Sequence, residues 1–228
     1  MRLKSLFLAA SLAFTVLATA QTKEGFSVDA VVGINFNKLH AEPTIGATQR
    51  PEGKWHGDFR VGVDMHYTFS LPIVISSGLS FARKEFSLKG DVYGRSIREG
   101  HFSNLNYLQL PLTVGYNFQL GAFTLRPSVG LVVNYGLSGN LAYTRTQTHP
   151  TAWGSEAIIH QRSAFPTERI EVTANMHRFD FAYNVALHAQ YKRYGVKVGY
   201  ERGVTALNTE YTNPYSRGIV VALTHRLF

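Results

Sequence analysis

The sequence predicts an all-β protein: a transmembrane up-and-down antiparallel β-barrel of about eight strands, preceded by a cleaved signal peptide. Three observations lead to this prediction. The chain begins with a secretory signal. It then contains repeated runs in which apolar and polar residues alternate with a period of two. The connections between those runs are alternately short and long, as in membrane barrels.

The first twenty residues have the three parts of a signal peptide. Arg2 and Lys4 form the charged start, an apolar run follows, and Ala18-Thr19-Ala20 precedes the expected cleavage point. The apolar run is shorter than the roughly 20 residues that a membrane-spanning helix needs. We therefore expect a signal peptide at 1–20 and a single barrel domain at 21–228, with no linker dividing it.

The composition excludes several classes of protein. The chain has no cysteine, so it can form neither a disulfide nor the lipid-modified cysteine of a lipoprotein. The formal net charge of +8 falls to +6 once Arg2 and Lys4 leave with the signal, and the other basic residues are spread through the predicted loops. We therefore predict no nucleic-acid partner.

The clearest alternation lies in two runs of the second half of the chain. Residues 179–191 place seven apolar or aromatic side chains on one face and six small or polar side chains on the other. Residues 123–135 repeat this pattern. Both runs exceed the five or six residues or so that are usual for soluble strands, and both reach the roughly nine to eleven that cross a bilayer.

Six further runs complete the predicted barrel. The runs at 26–37 and 59–69 have apolar faces that begin and end with aromatic residues, as expected where an apolar band meets lipid headgroups. Weaker copies of the pattern lie at 73–81, 105–118, 196–200 and 219–228. In the last of them Phe228 is out of step with the apolar face by one residue, and we expect either a β-bulge or a frayed end at the end of the chain.

The lengths of the connections predict the orientation of the barrel. The short connections are at 70–72, 119–122 and 192–195, and the long ones are at 38–57, 87–104, 139–178 and 205–215. Barrels of the outer membrane have short periplasmic turns and long external loops. An even number of strands returns both termini to one side. We therefore expect an outer-membrane location with both termini in the periplasm.

The kind of polar residue indicates which face points outward. The polar faces consist mainly of Gly, Ala, Ser, Thr, Asn and Gln with a few charges of both signs, whereas a water-exposed face is rich in Lys and Glu. Small and amide side chains suit a narrow interior packed with side chains. Alternation alone leaves a second possibility open, which is a soluble lipocalin-like barrel with its apolar faces turned inward.

Four segments carry a resemblance to a known family: Gly33–Phe36, Ser77–Phe81, Leu105–Leu112 and Arg126–Gly130. With these segments the chain resembles the PorT-like family of outer-membrane β-barrels, often described as an outer membrane protein beta-barrel domain. The third segment is the most characteristic, and the resemblance covers nearly all of the chain after the signal. It implies a barrel in the outer membrane. The member that names the family is implicated in type IX protein secretion, and none of these segments is specific enough to imply that role for this chain.

Nine charged or imidazole side chains are expected on the inward face: Asp29, Arg60, Asp64, His66, Arg126, Asp180, His188, Lys197 and Glu201. An eight-stranded barrel is just wide enough for side chains to fill it. Charges buried in so narrow a space persist by pairing and hydrogen bonding. We therefore expect a packed polar interior with a structural role. A polar path, or proton exchange at the imidazoles, is the alternative.

An external contact is expected in the long connection at 139–178. Trp153 and Phe165 can act as aromatic anchors for a partner, and Arg145 and Arg162 can bind phosphate groups of surface lipid. A disordered cap is the alternative reading of this segment. The expected partners are outer-membrane lipid and other envelope proteins.

No catalytic, cofactor or metal site is predicted. The nine histidines are scattered and show no recognised metal-ligand spacing. Ser155, Glu156 and His160 have the residue types of a hydrolytic site, but three common residues in one loop do not define one. The expected function is a structural or binding role at the cell surface. The alternatives are an accessory subunit of an envelope or type IX-like secretion complex and a lipid-active barrel enzyme.

Overall fold

The computed structural model describes residues 25–40, 52–92, 96–148, 155–165, 176–207 and 215–228, which form eleven β-strands. The predicted signal peptide lies outside these residues. Eight long strands form the wall of a barrel, and three short strands extend it. Among the described residues, no helix has the length and apolar character needed to cross a bilayer.

The wall strands are β1 (Gly25–His40), β3 (His56–Thr68), β4 (Ile73–Val92), β5 (Ser96–Tyr116), β7 (Phe123–Thr148), β9 (Phe179–Tyr191), β10 (Tyr194–Gly203) and β11 (Tyr215–Arg226). The short strands are β2 (Glu52–Lys54), β6 (Phe118–Leu120) and β8 (Ser155–Ser163). Every wall strand pairs antiparallel with the next, and β11 pairs with β1 to close the ring. The closed eight-stranded barrel predicted from the sequence is confirmed. Closure pairs the backbone groups around the ring, as a bilayer requires.

Side-chain exposure alternates along the wall strands wherever the structure describes their side chains. In β9, Phe179, Val185 and Leu187 are exposed, whereas Asn184 and Ala186 between them are buried. The apolar faces therefore point away from the barrel and the polar faces point into it. The lipocalin-like alternative is wrong, because it requires the opposite arrangement.

Aromatic pairs mark two levels on the outward face of β7 and β9. The rings of Phe123 and Tyr191 lie 4.7 Å apart, and those of Tyr135 and Phe179 lie 4.9 Å apart. Phe123 and Tyr135 mark the two levels on β7 and are twelve positions apart along it. With a rise of about 3.3 Å per residue and a strand tilt of about 40°, the levels are roughly 30 Å apart, close to the thickness of a hydrocarbon core.

One end of the barrel, which we call the turn end, has tight connections. Lys192 and Arg193 alone join β9 to β10, and Lys192 has a φ of 54°. Gly121 and Ala122 join β6 to β7, and Gly121 has a φ of 63°. Two-residue hairpin turns need a positive φ at such positions, which glycine adopts without strain.

Of the two irregularities expected at the end of the last strand, the structure shows a β-bulge. The Leu227 N–H donates to the Val28 carbonyl at 2.8 Å, and the Val28 N–H donates to the Phe228 carbonyl at 3.0 Å. Two residues of one strand thus bond to a single residue of its neighbour, which is the pattern of a β-bulge. The bulge absorbs the one-residue change of parity at Phe228.

The opposite end, which we call the projecting end, differs from the sequence prediction. The sequence predicts loops at 87–104 and 139–178. In the structure, residues 87–92 of β4 pair with residues 96–101 of β5, and β7 continues to Thr148. These parts, with β2 and β8, form the projecting sheet: β2, 87–92, 96–103, 140–148 and β8. The sequence pattern misses it because no lipid band forces every second residue to be apolar there.

Candidate functional site

The structure places all nine of the charged or imidazole residues singled out above on the inward face. Eight of them are at most 7% exposed, and the ninth is the more accessible Lys197. They do not form one cluster. Instead, they divide into three levels between the turn end and the projecting end.

The level nearest the turn end is organised around Asp29. His66 Nε2 lies 3.1 Å from one carboxylate oxygen, and Arg226 Nε donates to the other at 3.3 Å. His66 Nδ1 lies 2.7 Å from the Ser76 hydroxyl. With Nε2 protonated, the imidazole donates to Asp29 and accepts from Ser76, so both ring nitrogens are satisfied. The Arg226 guanidinium also donates to Gln190 at 2.8 Å.

Two further inward residues lie beside this group. The His188 ring stacks on that of His66 with centroids 6.4 Å apart, and His188 Nε2 lies 2.8 Å from the Thr224 hydroxyl. Arg126 Nε donates to Asn117 at 2.8 Å. The imidazoles therefore have fixed neighbours and do not form a continuous chain of hydrogen bonds along the barrel axis.

The middle level contains two ion pairs that connect β3 with β10. Arg60 Nη2 donates to Glu201 Oε1 at 2.6 Å, and Lys197 Nζ donates to Asp64 Oδ2 at 2.7 Å. Arg60 also donates to Gln109. A cavity of about 10 Å³ lies between the two pairs, which is space for about one water molecule.

The third level surrounds Asp180. Its carboxylate accepts from Asn134 Nδ2 at 3.2 Å and from the Thr205 hydroxyl at 2.7 Å. Asn134 Oδ1 in turn accepts from Gln109 and, at 3.4 Å, from Lys84 Nζ. The chain of contacts from Asp180 to Arg60 thus joins the third level to the middle one.

Lys84 is a buried interior cation that the sequence prediction missed. The signal for it is present, because Ala82, Lys84 and Phe86 continue the inward parity of β4 beyond Phe81. The predicted strand ends at Phe81, since the outward face becomes polar after that residue. An inward reading of the same alternation would have included Lys84.

An apolar cluster of buried side chains lies in the interior at the projecting end. We call it the plug: Leu39, Phe86, Phe102, Leu105, Tyr107, Ala164, Phe165, Met176 and Leu207. The sequence prediction describes a polar interior and does not include this cluster. Five plug residues come from wall strands, whereas the other four come from segments between strands that fold into the mouth. Sequence periodicity carries no signal for such segments.

Phe165 is held tightly in the plug. Its ring packs edge-on against that of Tyr107, with centroids 5.7 Å apart, and a Cβ added to Gly136 would lie 2.5 Å from it. Arg178 donates to the carbonyls of Gly136 and Phe165, both at 3.0 Å, and its guanidinium lies 5.8 Å from the Phe165 ring centre. The segments before and after the undescribed residues 166–175 are thereby tied to β7.

The prediction of Phe165 as an external contact is wrong, because the side chain is 3% exposed and packs inside the mouth. Trp153 lies outside the described residues. Arg145 and Arg162 lie in β7 and β8, where their backbones pair with Ile158 and Leu141. The structure describes only the backbone of these two arginines, so their role as external contacts stays a prediction.

The three residues considered for hydrolysis lie along one strand. Ser155, Glu156 and His160 all belong to β8. Five residues of an extended strand separate the Cα atoms of Ser155 and His160 by about 16 Å, which is too far for a nucleophile and its base. Among the described residues, no group of three or more His, Cys, Asp or Glu side chains is arranged to hold a metal ion.

The sequence matches the family described as "Outer membrane protein beta-barrel domain" over residues 19–209. Among solved structures it is similar to the outer membrane protein OprG from Pseudomonas aeruginosa, with 11% identity, 91% of this chain and 98% of that chain covered, and a TM-score of 0.50. This likeness shows the barrel fold alone.

Two further solved structures resemble the chain less closely. Ail, the attachment invasion locus protein of Yersinia pestis, is 12% identical, with 90% of this chain and 100% of that chain covered and a TM-score of 0.42. Neisserial surface protein A (NspA) is 10% identical, with 89% and 99% covered and a TM-score of 0.42. No curated protein matches the sequence.

Proposed function

We propose that this chain, which belongs to the outer membrane protein beta-barrel domain family, is a closed barrel that binds a partner at the cell surface through its projecting sheet. An outer-membrane location follows from the family and the fold. The contrast between the two parts of the molecule supports the proposal: side chains fill the interior, whereas paired strands continue well beyond it.

The filled interior argues against a transport role. The ion pairs of Arg60 and Lys197 leave a cavity of about 10 Å³, and the plug closes the mouth above them. Opening a path would separate buried charges from their partners, which is strongly unfavourable in a dry interior. We therefore assign the barrel the role of a membrane anchor for the projecting sheet.

The projecting sheet is built as a stable surface. β7 has 26 residues, more than twice the roughly nine to eleven that a membrane crossing needs. Beyond the membrane it pairs with β5 from Asn140 to Gln147 and with β8 from Asn140 to Thr148. Backbone hydrogen bonds hold the surface before a partner arrives, so binding costs less conformational entropy than with a flexible loop.

The proposal includes an orientation. We place the turn end in the periplasm and the projecting sheet outside the cell, because short periplasmic turns and long external segments are the rule for such barrels. Both termini then lie in the periplasm. Proteolysis of intact cells tests this: cleavage sites inserted after Val92, where β4 ends, should be cut, and sites inserted between Lys192 and Arg193 should be cut only after permeabilisation. The reverse result would overturn the orientation.

Two measurements test the closed, partner-binding barrel. In planar bilayers the purified protein should give no steady conductance; discrete channels would overturn the closed interior. For binding, a photo-crosslinking residue replaces Asn140 in the projecting sheet or Leu120 at the turn end, both of which are exposed. We expect a crosslinked product of one recurrent mass from the residue at position 140, and no product of that mass from the residue at position 120.

A trimmed variant supplies the control for the crosslinking experiment. Leu88 and Gly100 are directly opposite each other in the β4–β5 hairpin, so an Asn-Gly turn can join them and remove the residues between. The variant should keep the mobility shift of a folded barrel on unheated gels and lose the adduct. An adduct that survives trimming would show that the partner does not need the tip of the β4–β5 hairpin, and an adduct of the same mass at Leu120 would contradict binding through the projecting sheet.

An accessory role in an envelope or type IX-like secretion complex is the second proposal, and it rests on the PorT-like segment Leu105–Leu112. In β5 this segment presents Leu108, Leu110 and Leu112 outward, where a neighbouring membrane subunit can pack against them. This role predicts co-purification with envelope proteins that survives trimming of the projecting sheet and fails when Leu110 becomes Arg. We propose no catalytic role.

A further inference from the structure

Three basic residues lie side by side on the outward face of adjacent strands. Arg202 of β10 is directly opposite Arg217 of β11, and Arg217 is directly opposite Lys38 of β1. Directly opposed residues on one face of an antiparallel pair have Cβ atoms about 5 Å apart. Like charges at that separation repel each other and destabilise the pairing unless an anion lies between them.

Among the side chains that the structure describes, no ion pair neutralises this basic row. None of the ion pairs there includes Lys38, Arg202 or Arg217. The Nε of Arg217 is buried and has no hydrogen-bond partner among those residues. By contrast, the outward Arg83 of β4 has its Nε 3.6 Å from a carboxylate oxygen of Asp58.

The basic row borders the lipid-facing surface. The next outward residues toward the turn end are Tyr200, Ile219 and Phe36, which are also directly opposite one another and are all exposed. Long basic side chains at such a border keep their methylene groups on the apolar surface and extend their charge to the headgroups. Tyr183, opposite Arg202 on β9, is a residue type enriched at this level of a membrane.

We propose that Lys38, Arg202 and Arg217 bind a phosphate group of an outer-leaflet lipid. A guanidinium group matches phosphate with paired hydrogen bonds, and the lysine ammonium adds a third positive charge. A phosphate among the three cations replaces their mutual repulsion by attraction. The assignment rests on the proposed orientation, which puts the projecting end of the barrel in the outer leaflet.

A lipid fits the site better than free phosphate does. The apolar row formed by Tyr200, Ile219 and Phe36 lies next to the cations and can contact acyl chains while the headgroup is bound. A soluble anion would use the charges alone. The phosphorylated glycolipid lipid A carries both features and serves as the probe.

The test compares two double variants with the same loss of charge. Arg202→Gln with Arg217→Gln removes two cations from the basic row, and Lys192→Asn with Arg193→Gln removes two exposed cations from the turn end. Each protein is placed in phosphatidylcholine nanodiscs and titrated with lipid A or with dephosphorylated lipid A. Bound lipid is counted by native mass spectrometry.

We expect the wild type and the turn-end variant to bind phosphorylated lipid A equally. The variant of Arg202 and Arg217 should bind it about thirtyfold more weakly, since each cation near an anionic surface contributes about a fivefold factor. Lys38→Gln should give about a fivefold loss and provides a second variant if the double variant does not fold. Folding is checked by the gel mobility of unheated samples.

Several results would overturn the proposal. Equal binding of phosphorylated and dephosphorylated lipid A by the wild type would show that the phosphate is not recognised. Wild-type affinity in the variant of Arg202 and Arg217 would show that the basic row does not bind the lipid. Full competition by millimolar inorganic phosphate would show a free-anion site and make the lipid assignment wrong. Nanodisc binding does not depend on orientation in the cell, so failure of the orientation appears separately, in the proteolysis of intact cells.

Discussion

Arg60 of β3 and Glu201 of β10 form an ion pair inside the barrel, with 2.6 Å between Nη2 and Oε1, although the two residues are 141 positions apart in the chain. The two side chains are 9% and 7% exposed, so neither charge is solvated when its partner is removed. The pair also contacts Gln109, which leads through Asn134 to Asp180. The ion pair therefore links the middle level of the interior to the third level around Asp180.

Removing one member of this pair should destabilise the barrel strongly. We expect Glu201→Gln to lower the free energy of unfolding by about 3 kcal/mol, because it leaves the Arg60 charge buried without its carboxylate. The double variant Arg60→Met with Glu201→Leu should recover most of that loss. Urea unfolding in detergent, followed by the gel mobility of unheated samples, measures both.

A matched surface pair is the control for this prediction. Glu85 accepts from His101 at 2.9 Å at the projecting end, where both side chains are partly solvated. Glu85→Gln should change the free energy of unfolding by less than about 1 kcal/mol. Equal effects of Glu85→Gln and Glu201→Gln would show that the interior pair is not the structural link inferred here.

The plug can be probed with single cysteines, since the chain has none of its own. Ala164 is fully buried in the plug, and the adjacent Ser163 is exposed. We expect Ser163→Cys to react rapidly with a maleimide that does not cross membranes, and Ala164→Cys to react slowly. Rapid labelling of Ala164→Cys in the folded protein would show that the mouth is open.

The contact between Phe165 and Gly136 gives a second test of the plug. A methyl group at Gly136 would overlap the Phe165 ring, so Gly136→Ala should displace it and expose the residues beside it. We expect Ala164→Cys to become reactive in this background while the barrel keeps its mobility on unheated gels. Continued protection would mean that Phe165 does not hold the segment in place.

The free-energy cost of an arginine on the outward face of β7 should depend on its depth in the membrane. Val129 is 58% exposed and lies midway between the aromatic residues Phe123 and Tyr135, whereas Leu137 lies beyond Tyr135. Val129→Arg should lower the free energy of unfolding in lipid vesicles by about 2–4 kcal/mol, and Leu137→Arg by about 1 kcal/mol or less. Equal costs at the two positions would contradict the placement of the bilayer.

Substitutions at Lys192, in the turn between β9 and β10, should change the free energy of unfolding through backbone strain. Lys192 has a φ of 54°, which glycine adopts freely and a β-branched residue does not. Lys192→Val should lower the free energy of unfolding by about 1–2 kcal/mol, whereas Lys192→Gly should leave it nearly unchanged. Arg193→Val is the matched control, and a loss as large as that of Lys192→Val would contradict strain at this position.

The sequence alone predicts the wall of the barrel well. Phe179 to Tyr191 and Phe123 to Tyr135 were identifiable as strands, with the correct faces, because lipid on one side of a strand requires an apolar residue at every second position. The same rule predicts the number of wall strands and the parity of all nine interior residues. It weakens where lipid ends, so the projecting sheet and Lys84 were missed.

What the sequence determined by itself is which residues face lipid and which face inward, because that choice depends only on alternation within one strand. The tertiary structure decided which residues meet. The pairing of Arg60 with Glu201, the burial of Phe165 against Tyr107, and the row of Lys38, Arg217 and Arg202 all depend on the register between strands and on how chain segments fold into the mouth. A period of two is unchanged by shifting one strand by two residues against its neighbour, so only the closed ring of hydrogen bonds selects the partners.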